Sequence, residues 1–73
     1  MKAEEFKDWA EKYGLSIEQA GEVLGTSRAN AFKFAKGDRP VSKTVEYSAE
    51  AIDLLAKGKS LKLIQKRLAK VSN

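Results

Sequence analysis

A single glycine, Gly25, separates two short stretches in which apolar residues recur at three- and four-residue steps. Ala20, Val23 and Leu24 precede it, and Ala31, Phe34 and Ala35 follow. That period marks helices buried along one stripe. Two short helices joined so closely can cross steeply only if the turn residue takes a backbone conformation that glycine tolerates. Small or apolar residues must also fill the space where the axes approach. Gly25 meets the first need, and Ala20, Gly21, Leu24, Ala31 and Phe34 meet the second. Ser16 opens the first helix as half of a capping box with Gln19, whose side chain can reach back to the N-terminal turn. Thr26 and Ser27 offer oxygens to cap the second, which ends near Lys36.

The same periodicity organises the rest of the chain. Phe6, Trp9, Ala10 and Tyr13 predict a helix over Ala3 to Tyr13, closed by Gly14, with Leu15 folding back onto the core. After a Gly37-Asp38-Arg39-Pro40 loop, Val41, Val45, Ala49, Ile52 and Leu55 predict a helix over about Ser42 to Lys57. A break at Lys57-Gly58-Lys59, a cap at Ser60 and a stripe of Leu61, Ile64, Leu68 and Val71 predict a last helix over 60–70, with Leu63 off the stripe and residues 70–73 frayed. No β alternation or repeat interrupts this pattern. The expected fold is all-α, a compact five-helix single domain over 1–73 whose core is built by about 3–56. Phe6, Trp9, Tyr13 and Phe34 read as core aromatics.

The side-chain inventory narrows the chemistry. With no Cys and no His in 73 residues, thiolate and imidazole catalysis and nearly all zinc sites are excluded, so no enzyme activity, metal or cofactor is expected. Gly58-Lys59-Ser60 imitates the end of a phosphate-binding loop, but Asp53 stands where that motif needs another glycine. No apolar run approaches a membrane span, and Met1 to Phe6 is too acidic for a signal peptide, so a cytoplasmic protein is expected. Charge is polarised: residues 1–25 carry three Lys against six acids, and residues 26–73 carry eleven Lys or Arg against four acids. A basic segment suits nucleic acid through counterion release or an anionic membrane through its negative surface potential, or else is simply a solvated surface.

The two helices around Gly25 together span about twenty residues, the length of a helix-turn-helix. The outer face of the second carries Ser27, Arg28, Ala29, Asn30, Phe32, Lys33 and Lys36, with no acid among them. The run Leu15-Ser16 through Ala20-Gly21-Glu22-Val23-Leu24-Gly25-Thr26-Ser27-Arg28, continuing to Phe34 and Lys36-Gly37-Asp38-Arg39-Pro40-Val41, resembles the phage lambda repressor and Cro class of helix-turn-helix regulators. The aromatic, acidic opening Glu4-Glu5-Phe6-Lys7-Asp8-Trp9 is similar too, and the likeness covers about residues 3–56. There are departures. Ile17 stands where the family often has a phosphate-reaching Gln, Gly21 where Ala is usual, Thr26 where an aliphatic is common, and Ala31 where Val or Ile packs.

The resemblance implies a lambda-repressor-like domain that lays helix 27–36 in the major groove of double-stranded DNA and acts as a transcriptional regulator, a small repressor. It then implies base contacts from Arg28 to guanine, from Asn30 to adenine, from Ala29 and Phe32 to thymine methyls, and from Lys33 to guanine or phosphate. Ser27, Lys36, Arg39 and Lys43 are implied phosphate contacts. Each has a structural alternative: Ser27 as a cap, Phe32 as core or subunit contact, the cations as solvated charges. The last helix pairs its apolar stripe with Lys62, Lys66, Arg67 and Lys70, which can snorkel or reach flanking phosphate while the stripe covers the core or a partner. So small a module is expected to double its DNA contact as a homodimer on a pseudo-palindromic operator, joined through its last two helices, without a small-molecule ligand. The competing classes are a protein-binding adaptor or antitoxin-like module anchored by Phe32, Leu63 and Ile17, and a non-specific architectural DNA binder.

Overall fold

Three of the helices begin at a serine whose hydroxyl satisfies a leading N–H: Ser16 Oγ accepts from Gln19, Ser27 Oγ from Asn30 and Ser42 Oγ from Val45. Ser16 and Gln19 complete the expected capping box, since the Gln19 side chain accepts from the Ser16 N–H at 2.9 Å. The computed structural model describes residues 1–55 and 57–71; Ala56, Ser72 and Asn73 lie outside it, as do the side chains of Lys57, Lys70 and Val71. Its elements are α1 (Ala3–Lys12), α2 (Ile17–Leu24), α3 (Arg28–Lys36), α4 (Lys43–Leu54) and α5 (Lys57–Val71). The described residues form an all-α, five-helix domain with no strand.

α2 and α3 are held at close range. Gly25 ends α2 at φ 80°, in the left-handed region, and its N–H reaches back to the carbonyls of Glu22 and Gly21. Gly21 faces α3 so closely that an added Cβ would lie 2.7 Å from the Cβ of Ala31. The core beneath is Phe6, Trp9 and Ala10 of α1, Ala20, Val23 and Leu24 of α2, Ala31 and Phe34 of α3, Val41, and Val45, Ala49 and Ile52 of α4. Phe6 meets Phe34 edge to face, centroids 5.8 Å apart at 77°, which fixes the inner side of α3 on α1. Tyr13 departs from the core expectation: it caps α1 and is only half-buried.

Asp53, on the flank of α4, takes up the polar ends of α1. One oxygen, Oδ1, accepts from Trp9 Nε1 at 3.0 Å, Lys12 Nζ at 3.1 Å and Tyr13 Oη at 2.7 Å. Partial burial alone would raise the Asp53 carboxyl, but the bonds donated by Tyr13, Lys12 and Trp9 together hold it below the ordinary value. Tyr13 moves the other way, to about 12, first because burial disfavours the phenolate and then because its hydroxyl donates to that carboxylate.

The C-terminal part corrects several expectations. α4 ends at Leu54, not Lys57, because Leu55 turns extended at ψ 150°. The last helix spans Lys57–Val71 instead of 60–70, and Gly58 lies inside it. Ser60 is therefore no cap: it is buried, and its hydroxyl donates to the carbonyl of Ile52 at 2.8 Å. The inner face of α5 is Ser60, Leu63, Ile64, Arg67 and Leu68, one helical stripe, while Leu61 is exposed. Ile64 and Leu68 face inward as the apolar spacing predicts, but Leu63 joins them in place of Leu61, and two polar residues, Ser60 and Arg67, share the face because each donates to carbonyls at the end of a neighbouring helix. Arg67 Nη1 donates to the Val23 carbonyl in the last turn of α2 and to Ser48 Oγ at 3.4 Å. Ile64 joins the core, which thus extends beyond residues 3–56.

Candidate nucleic-acid interface

α3 is amphipathic in the sense a groove-reading helix needs. Ala31 and Phe34 are buried and Ala35 half-buried, while Arg28, Ala29, Phe32, Lys33 and Lys36 point to solvent. Ser27 caps the start, and Gly37 closes the end at φ 81°. The caps fix both ends of a helix whose inner side is already anchored by Phe34 on Phe6.

Phe32 is 41% exposed, which places it outside the core. Its ring lies beneath the Arg28 guanidinium, 5.8 Å from the centroid, so the two side chains form one surface. The face is not wholly free of acid once folded, because α2 brings Glu18 Oε2 to 3.7 Å from Arg28 Nε. Both groups are exposed, and such a pair contributes ~0–1 kcal/mol, small enough for a phosphate or base edge to displace. Glu18 has no signal in the α3 sequence, since it reaches this face from the neighbouring helix.

Asn30 is half-buried, and its Oδ1 accepts from Arg39 Nη1 at 2.7 Å. This bond ties the first turn of α3 to the loop that follows it. The Asn30 oxygen keeps a second lone pair, so bidentate pairing to adenine through oxygen and nitrogen requires either sharing that oxygen with Arg39 or releasing the guanidinium toward phosphate.

Lys33 and Lys36 are exposed on α3 and Arg39 is exposed in its exit loop, beside the exposed acid Asp38. Lys43 is exposed on the first turn of α4, and among the described residues no hydrogen bond or ion pair ties it to α3. Ser27 uses its hydroxyl as an acceptor in the cap, leaving its proton available. Ile17, at the phosphate-facing position implied by the resemblance, is half-buried against the core. No described helix is long and apolar enough to cross a membrane.

Comparison of the chain with models of protein families, with curated protein sequences and with solved structures finds no match.

Proposed function

We propose that this chain is a sequence-specific DNA-binding regulator of the helix-turn-helix type, a small repressor in which α3 enters the major groove. The observation that carries this reading is the α3 surface: Arg28, Asn30, Phe32, Lys33 and Lys36 on a helix capped at both ends and anchored from behind. Arg28, stiffened by its contact with Phe32, is the leading base reader, with Ala29, Asn30 and Lys33 beside it. Ser27, Lys36, Arg39 and Lys43 hold phosphates and set register. The likeness to lambda repressor and Cro regulators supports the same assignment, as does the net positive charge of residues 26–73. A homodimer on an inverted repeat, half-sites about 34 Å apart, and a location in the cytoplasm where DNA is accessible belong to the same proposal.

The test is selection of binding sites from a random duplex library at about 150 mM salt, where non-specific attraction is damped. Recovery of a short inverted repeat supports a dimeric sequence reader. Recovery of no motif overturns the reading, in favour of a protein-binding use of the same surface or of architectural binding.

A further inference from the structure

Arg67 and Glu22 line one cleft and do not pair with each other. The cleft, about 440 Å³, lies where the end of α2 meets α4 and α5, and it is lined as well by Val23, Leu24, Gly25, Thr44 and Ser48. Both charged residues are half-buried, and among the described residues neither side chain forms an ion pair. A half-buried charge without a counter-ion has given up hydration with nothing in return. Two such charges of opposite sign on one cleft are what a dipolar ligand completes. Arg67 is already held in place: its Nη1 donates to the Val23 carbonyl and to Ser48 Oγ, while Nε and Nη2 have no partner among the described residues. Those two nitrogens present parallel N–H groups, the fork that a carboxylate takes with both oxygens. Thr44 and Ser48, four residues apart on one side of α4, add hydroxyls. Ser48 accepts from Arg67 and so keeps its proton to donate.

We propose that this cleft binds a small zwitterion of the α-amino acid class, with its carboxylate on Arg67 and its ammonium toward Glu22. The volume falls in the lower part of the range of about 300 to 1,000 Å³ usual for small-molecule sites, which suits a compact ligand. A plain carboxylate brings a second negative charge to the cleft and leaves Glu22 uncompensated, and a duplex phosphate meets the same objection. A plain amine does the equivalent to Arg67. Only a ligand carrying both charges avoids an unpaired group on either wall. Val23 and Leu24 add apolar surface for its side chain. Residue order offers no hint of such a site, and the expectation of no small ligand arose for that reason: the walls come from three separate helices. No residue of α3 lines the cleft, so the proposal is independent of whether α3 reads DNA. An occupant joins α2, α4 and α5 beside Gly25, and it stabilises the folded chain by mass action.

The test is titration of the full chain, without DNA, with each of the common L-α-amino acids up to about 10 mM, followed by the backbone amide resonances of Gly25, Ser48 and Arg67. At least one amino acid is expected to shift all three saturably, with a Kd at or below about 1 mM, and to raise the melting temperature with ligand concentration. Two analogues of that amino acid then dissect the charges. Its carboxamide, which lacks the carboxylate, and its N-acetyl derivative, which lacks the ammonium, should each bind at least about tenfold more weakly. Glu22→Gln keeps the size of the side chain and removes no bond that holds the fold, so its circular dichroism should match wild type. On that variant the parent amino acid should lose about the same tenfold, and the N-acetyl derivative should lose nothing further. No amino acid moving these resonances at about 10 mM overturns the proposal. So does a ligand that binds Glu22→Gln as tightly as wild type, or an N-acetyl derivative as tight as its parent.

Discussion

Gly21 and Ala31 face each other across the α2–α3 crossing with no room for a second methyl: a Cβ built on Gly21 sits 2.7 Å from that of Ala31, well inside contact distance. Two small residues facing each other let the α2 and α3 axes approach closely, so the two positions act as one unit of packing.

Gly21→Ala is accordingly expected to destabilise the fold. The substitution gains about 1 kcal/mol of helix propensity and loses about 1 to 3 kcal/mol to overpacking. Ala31→Gly in the same chain should recover most of the overpacking loss, giving a strongly non-additive cycle in urea unfolding. A Gly21→Ala protein more stable than wild type would show that the helices are not this close.

Asp53 links stability to pH at both extremes. Its folded carboxyl is depressed, so the stabilisation it gives is present above the unfolded value and is lost as pH falls through the folded one. Tyr13 is raised from 10.0 to about 12, so folding favours its neutral form; that contribution is whole below pH 10 and disappears as pH climbs toward 12. Asp53→Ala should cost about 1 to 3 kcal/mol, chiefly by leaving the Trp9 indole N–H without its acceptor. It should also flatten the acid limb of the stability curve and lower the Tyr13 titration followed by ultraviolet absorbance. An unchanged tyrosine titration would break the link between the two groups.

Arg28→Ala and Lys36→Ala separate reading from holding. On the selected site, Arg28→Ala is expected to cost about 1 to 3 kcal/mol and to relax preference at one base position. Lys36→Ala should weaken all duplexes alike and reduce the slope of log affinity against log salt by about one. Titrations at several salt concentrations on matched and scrambled duplexes distinguish them. An Arg28→Ala protein with unaltered preference would remove that residue from the base-reading set.

Asn30 and Arg39 should behave as a coupled pair on DNA. If Asn30 trades Arg39 for adenine on binding, Asn30→Ala loses discrimination at one position, while Arg39→Ala loses affinity without it. The double variant would then cost less or more than the sum by about 0.5 to 3 kcal/mol, the range for residues in direct contact. Strict additivity would mean that the 2.7 Å bond has no part in binding.

Much of this architecture is legible from residue order alone. The caps at Ser16 and Ser27 and the glycine turns bracketing α3 follow from local chemistry, and most of the α1 to α4 core follows from apolar spacing, although Ser42 proves to be the cap of α4 rather than its first residue and Leu55 is exposed. What escapes is polar and long-range. Ser60 looks like a cap because serines usually are, yet it is buried against the carbonyls of Ile52 and Leu55 where α4 ends. Arg67 looks like one more surface cation, although it reaches Val23. Asp53 has no local signal; the hint lay in Trp9, Lys12 and Tyr13, three donors on one side of α1 that need an acceptor. On α3, Arg28, Ala29, Phe32, Lys33 and Lys36 are exposed as the helical period implies, whereas Asn30 is half-buried and already bonded to Arg39.

The bond from Arg67 to Val23 also sets a timetable. Its partners are 44 residues apart, and the acceptor lies two residues before Gly25. During synthesis at roughly 5 to 20 residues per second, about 2 to 9 s separate the two ends of this bond. In that interval the nascent α2 has its glycine and its serine cap but not the guanidinium that later covers its last turn. The turn at Gly25 is therefore secured from behind only once Arg67 has been made, well after the residues that form it.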